Sequence, residues 1–158
     1  SSTTTRGSKT STTPAGTVLQ GKQQQQKYVP LIMAMHGIEY CATASPSHMK
    51  DFIEKVEKGL AASKKGFAYI HVFSPCPTGW SFSSSQSIEI ARKAVQSNLF
   101  PLWEMSSGKL TLTANPKPLP IAEFVQGIGK FKGLSPQVLE EIQVMVQHRY
   151  AILQKLAD

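Results

Sequence analysis

Acidic residues are scarce in this chain and unevenly placed. Ten Asp and Glu stand against 17 Lys and Arg, giving a formal charge of +7 over 158 residues, and the stretch 1–30 holds no acid at all. Asp51 and Asp158 are the two aspartates, and Glu54 and Glu57 fall on the polar side of a predicted helix, so a catalytic carboxylate pair has little support. Cysteine is almost missing: Cys41 and Cys76 are too few for a disulfide framework. No apolar run approaches the ~18 residues of a membrane span. The Ser-, Thr-, Arg- and Lys-dominated start carries no signal-peptide pattern, and the expected location is cytoplasmic. His36, His48, His71 and His148 have no metal-ligand spacing, and neither a P-loop nor a G-x-G-x-x-G is present. The basic arm lacks aromatic residues before Tyr28, so it offers no stacking platform and nucleic acid is not an expected partner.

What is there is a folded domain's worth of apolar residues, 41% of the chain. Residues 1–27 read as an irregular basic arm rich in Ser, Thr and Gln, unable to bury enough apolar surface to order itself. Pro30–His36 reads as a short buried helix closed by Gly37. Ile38–Ala44 and Phe67–Ser74 read as strands, and the segment between them has Met49, Phe52, Ile53, Val56 and Leu60 at helical spacing. This is a βαβ crossover with parallel strands, and the near-continuous apolar runs predict a sheet covered on both faces. Ser83 and Gln86 have capping-box spacing before the next helix. Phe100–Glu104 and Leu110–Thr113 flank Ser106-Ser107-Gly108 as a hairpin. Ser135 and Pro136 open a last helix, with Val138, Ile142, Met145 and Val146 on one face. The expected fold is α/β, with a mainly parallel sheet in residues 28–100 and a hairpin, connector and helix extension in 101–158.

The most informative residue is Cys76. It follows a strand directly, within Pro75-Cys76-Pro77-Thr78-Gly79-Trp80, where open α/β sheets place their ligands. The flanking prolines fix the backbone and aim the thiol. An arbitrary cysteine is usually a small core hydrophobe, but the strand has ended here and the turn contributes little core. One thiolate cannot hold a metal cluster alone, and Cys41 lies inside a strand, so the chain carries at most part of a site. A Cys76–His nucleophile pair stays open, although no helix N-terminus or basic partner is expected beside it. His71, in a strand, reads as a satisfied core histidine and His148 as a surface one.

The Cys-Pro-Thr-Gly-Trp motif, preceded by Ala68-Tyr69-Ile70-His71-Val72, resembles the thiamine-diphosphate-binding β subunit of 2-oxoacid:ferredoxin oxidoreductases, the pyruvate synthase type especially. Thr10–Gly16, His36-Gly37-Ile38, Ala42–Ser45, Ile88–Val95, Leu99–Leu102 and Phe131–Ser135 are similar to the family in the same order. The resemblance implies a C-terminal half of such a subunit, either a fragment or one part of a split one. Gly-Asp-Gly and Asn-Thr-Gly motifs, which hold Mg2+ and the diphosphate in the family, do not occur here. The implied cofactors are thiamine diphosphate, Mg2+ and a 4Fe–4S cluster. Cys76 is then the fourth cluster ligand, and Ser2, Thr4 and Gly7 belong to a loop near the thiamine diphosphate. The implied reaction is oxidative decarboxylation of pyruvate or a related 2-oxoacid with coenzyme A, electrons leaving through the cluster to ferredoxin. Partners would be the other subunits, including the front half of the β subunit. The alternative, from a different class, is a non-catalytic interaction module that docks an acidic partner through its basic arm.

Overall fold

The computed structural model describes residues 6–9 and 28–157. Ser2, Thr4 and most of the basic arm lie outside the described residues. The order of elements is α1 (Val29–Met35), β1 (Tyr40–Ala44), α2 (Met49–Ser63), β2 (Ala68–Val72), α3 (Pro77–Trp80), α4 (Ser87–Gln96), β3 (Trp103–Ser106), β4 (Lys109–Leu112), α5 (Ile121–Val125) and α6 (Pro136–Ala157). The four strands form one sheet in the order β2-β1-β3-β4. β1 and β2 are parallel, with Tyr40 opposite Ala68 and Ala44 opposite Val72. The α/β class and the parallel crossover are therefore as the sequence predicts. β3 pairs antiparallel to β1, and β4 to β3, so the hairpin extends the same sheet and makes it mixed. Its turn is tight because Ser107 and Gly108 both take positive φ, 51° and 76°, the twist that suits a two-residue hairpin.

The sheet is unevenly covered. β1, in its middle, is buried at every residue, because α1 packs against it and α2 crosses it. β2 is the edge strand, and each of its residues is partly or largely exposed, against the expectation of cover on both faces. α2 departs from expectation in the same direction. Its periodic apolar residues do not all turn inward: Met49 and Ile53 are about half exposed and Leu60 is 64% exposed. The fully buried positions of α2 are Lys55 and Gly59. A Cβ on Gly59 would come within 2.9 Å of Ile70 Cδ1, so glycine lets the helix lie close to the sheet there.

Two apolar clusters hold the molecule. Ala34, Cys41, Trp103, Leu110 and Leu153 join α1, the sheet and the end of α6. A larger one gathers Ile90, Val95, Phe100, Ile121, Phe124, Phe131, Ile142 and Val146 among α4, α5, a short 3-10 segment Gly129–Phe131 and α6. The capping box of Ser83 and Gln86 forms as predicted, on a 3-10 turn that runs into α4. Ser135 Oγ accepts from the Val138 N–H at 3.3 Å and opens α6.

Candidate functional site

β2 ends at Val72, and Phe73 still reaches across to the end of β1, its N–H donating to Ala44 O at 2.9 Å. Pro75 is buried and Cys76 is exposed. Cys76 is the N-cap of α3, a single turn with Pro77 at its first position. Its Sγ accepts the Gly79 N–H at 3.3 Å, and its carbonyl accepts the Trp80 N–H at 2.9 Å. The absence of a neighbouring helix start, expected from sequence, is thus corrected: one turn of helix is capped by the sulfur itself. The prolines remove competing backbone donors and set φ, so the short turn closes with the thiol facing out. A sulfur that accepts a backbone N–H is fixed in direction, and hydrogen bonds of this kind tune the potential of a cluster held by such a sulfur.

Cys41 is the opposite case. It is wholly buried on β1, and its thiol donates to Pro30 O at 3.3 Å. Burial pushes its pKa up to about 11, which keeps it a neutral core residue. His71 is half-buried, with Nδ1 sharing a 2.9 Å hydrogen bond with Tyr69 OH and its ring against Phe100. Burial lowers its pKa. It is the satisfied histidine expected, and Cys76 Sγ has the Gly79 N–H rather than an imidazole as its partner. Among the described residues no three His, Cys, Asp or Glu side chains converge as a metal site.

Trp80, at the end of α3, packs edge-on to Phe73 and Phe82 at centroid distances of 5.7 and 6.3 Å. On its face lies Lys130, with Nζ 3.1 Å from the ring centroid. The segment carrying Lys130 is locked to the turn: Gly129 N–H donates to Ser81 O at 3.0 Å. A Cβ on Gly129 would sit 2.6 Å from Ser81 Cβ and 2.9 Å from Ser81 O, so only glycine permits that approach. A cavity of about 620 Å3 opens beside it, lined by Ser81, Val125, Gly127, Gly129, Gly133 and Leu139 among others. The sequence pattern missed Lys130. The pair Gly127-x-Gly129 before a lysine and an aromatic was the one local signal, and it is weak.

The described part of the predicted loop meets the same segment. Gly7 is buried at φ +80°, packed on Leu134 and Val138. Lys9 N–H donates to Lys130 O at 2.9 Å, and Lys9 Nζ donates to Lys132 O at 3.1 Å. Arg6 pairs with Glu141 at 2.6 Å. Ser8 Oγ is buried without a hydrogen-bond partner. The loop 6–9 and the Cys76 turn are therefore tied to one 3-10 segment, although they lie far apart in the sequence.

A second polar centre lies under α2, and the sequence pattern did not single it out. Lys55 is 1% exposed, yet its Nζ donates to Thr43 O at 2.8 Å, Asp51 Oδ2 at 2.8 Å and Thr113 Oγ1 at 2.7 Å. All three ammonium protons are used. Burial, the largest influence, lowers its pKa, while Asp51 opposes the shift. Nearby, Glu104 accepts from Tyr40 OH at 2.7 Å and from Lys58 Nζ at 2.6 Å. These groups satisfy one another and read as the polar support of the sheet.

No family model matches the chain. It is 42% identical over 160 residues to the β subunit of NADH-dependent phenylglyoxylate dehydrogenase from Aromatoleum evansii, covering 100% of this chain and 36% of that protein. It is 41% identical over 162 residues to ketoisovalerate oxidoreductase subunit VorB from Pyrococcus horikoshii, covering 100% of this chain and 51% of that one. With pyruvate synthase subunit PorB from Methanocaldococcus jannaschii it shares 37% identity over 145 residues, 91% of this chain and 48% of the other. The chain thus spans between about a third and a half of the length of these relatives.

Proposed function

Because this chain is a homologue of the β subunits of 2-oxoacid:ferredoxin oxidoreductases over a C-terminal part of their length, we propose that it is the cluster-ligating portion of such an enzyme. The reaction served is the oxidative decarboxylation of pyruvate or a related 2-oxoacid, with coenzyme A as acyl acceptor and ferredoxin as electron acceptor. The relatives are named as subunits of phenylglyoxylate dehydrogenase, ketoisovalerate oxidoreductase and pyruvate synthase, so their names converge on the enzyme class and diverge in the oxoacid.

The observation that carries the proposal is Cys76: exposed, held by a proline-framed turn, and accepting a backbone N–H through its sulfur. These features fit a thiolate ligand of a 4Fe–4S cluster, and Cys76 is the residue of this chain that would hold it. When bound, the cluster supplies a one-electron carrier. The chain's own work is mechanical and electrostatic. Pro77 and the Gly79 N–H fix where the sulfur points, and the packing of Trp80 on Phe73 and Phe82 keeps the turn from moving as charge passes. Thiamine diphosphate and Mg2+ belong with segments outside this chain. The loop of Ser2, Thr4 and Gly7 would lie near the cofactor, and the buried, unpartnered Ser8 Oγ is compatible with a polar group arriving there.

The partners are the other subunits, including the front half of the β subunit. The open edge of β2 and the outward apolar residues Met49, Ile53 and Leu60 support such a covering neighbour. The competing reading, an acidic partner docked by the basic arm, gains nothing from the described part of that arm. Arg6 and Lys9 spend their charges on Glu141 and on Lys132 O.

The test is Cys76→Ser in the assembled enzyme, followed by electron paramagnetic resonance and turnover. Loss or alteration of one cluster signal, with loss of ferredoxin reduction, is expected. An unchanged signal with unchanged turnover overturns the ligand assignment.

A further inference from the structure

Lys130 is the one buried lysine among the described residues whose ammonium has no hydrogen-bond partner. It is 3% exposed, and Nζ is 3.1 Å from the Trp80 ring centroid and 4.7 Å from that of Phe131. Burial alone pulls its pKa down to about 7. Stacking on an indole offsets part of the cost of removing an ammonium from water but does not replace an anion. Lys55 shows what the same chain does when a buried lysine is structural: it surrounds the ammonium with three acceptors. Lys130 has none, so its counter-charge lies outside the described residues.

The placement narrows what that counter-charge is. Lys130 lies on the ring of Trp80, the backbone N–H of Trp80 donates to the Cys76 carbonyl, and the Gly129 N–H donates to Ser81 O at the end of the same turn. The ammonium is therefore held rigidly on the turn that presents the cysteine. A cluster on thiolate ligands is anionic and becomes one unit more negative on reduction. A fixed cation nearby favours the reduced form more than the oxidised one.

We propose that Lys130 is a positioning residue that carries a fixed positive charge on Trp80 beside the Cys76 turn and raises the reduction potential of the cluster ligated there. The inference rests on the reading of Cys76 as a cluster ligand. The step concerned is transfer of one electron to the cluster from its donor; no bond is made or broken, and the neighbouring anionic cluster holds Lys130 in the ammonium form that burial alone disfavours.

The experiment uses the assembled enzyme carrying Lys130→Met, Lys130→Gln or Lys130→Arg, with Cys76→Ser as reference. The cluster is titrated with dithionite and followed by electron paramagnetic resonance. Lys130→Met and Lys130→Gln should each shift the reduced-to-oxidised equilibrium about tenfold toward the oxidised form. That corresponds to a midpoint lower by about 59 mV for one electron. Lys130→Arg should keep the midpoint, and the line shape should be retained in all three because no ligand is touched. Unchanged midpoints in both neutral variants, with the Cys76→Ser signal lost, overturn the role of Lys130 and leave the ligand reading standing: the lysine is then a packing staple. A cluster signal indifferent to Cys76→Ser overturns both.

Discussion

Among the described residues are two buried lysines and two cysteines, one of each in two regions that treat them oppositely. Under the sheet, Lys55 is bonded to Thr43 O, Asp51 and Thr113, and the Cys41 thiol to Pro30 O. At the turn after β2, Lys130 has only aromatic faces around its ammonium, and Cys76 is exposed. The first region is closed on itself, its polar groups satisfied by the chain. The second contains the same chemistry left unfinished. Among the described residues, one buried ammonium is satisfied three times over and the other lies bare on an indole ring, and that contrast is what the proposal for Lys130 rests on.

The contrast is broken most forcefully at Lys55. Lys55→Met in the isolated chain strands the half-buried Asp51 carboxylate and two oxygen acceptors, and should cost about 3 kcal/mol in urea unfolding. Lys130→Met should have the opposite sign, stabilising the isolated chain by about 2 kcal/mol at pH 6, since an unpaired buried charge gives way to an apolar side chain. The pH dependence sharpens this. The folded pKa of Lys130, about 7, lies below its ordinary 10.5, so between these values the unfolded chain binds more protons and stability rises with pH. The burial penalty is complete below pH 7 and fades as the pH climbs toward 10.5. The advantage of Lys130→Met should shrink over that window, as parallel unfolding curves at pH 6 and pH 9 would show. An advantage equal at both would mean that the ammonium is not the source of the cost.

Cys41→Ser should follow at about 1–2 kcal/mol, because a hydroxyl is costlier to bury than a thiol even with Pro30 O to receive its proton. The unfolding midpoint in urea is the measure. A neutral result would place Cys41 among tolerant packing sites rather than in the closed region.

How much of this could be read from the residues depended on the range of the signals. The Cys76 turn was legible because everything that makes it is local: a strand, two prolines and a glycine within a few positions. The hairpin and the Ser83 and Ser135 caps were legible for the same reason. Periodicity marked α2 as a helix but misjudged its orientation, since spacing identifies an apolar face without saying what covers it. The sheet side is set instead by Gly59 allowing contact with Ile70 and by Lys55 reaching Thr43 O. Met49, Ile53 and Leu60 stay exposed in the folded chain, and periodicity alone cannot say so. Lys130 was invisible because its meaning depends on Trp80 and Ser81, brought to it only by folding. Ser2 and Thr4 fall outside the described residues, and Gly7 is tied to the turn only through residues 129–138.

The smallest expected effect is the most telling one. Cys76→Ser in the isolated chain should change stability by less than about 0.5 kcal/mol, because the residue is exposed and the serine hydroxyl can still cap the turn by accepting the Gly79 N–H. The same change in the assembled enzyme is expected to remove a cluster signal. A residue that costs nothing to the fold and everything to the assembly is a ligand rather than a structural part. Thiol labelling of the cluster-free chain gives an independent reading: Cys76 should react at once, and Cys41 only as the chain unfolds. If Cys76 were protected in the isolated chain, or if its replacement unfolded it, the turn would belong to the closed region after all. The difference between the two cysteines would then be one of degree.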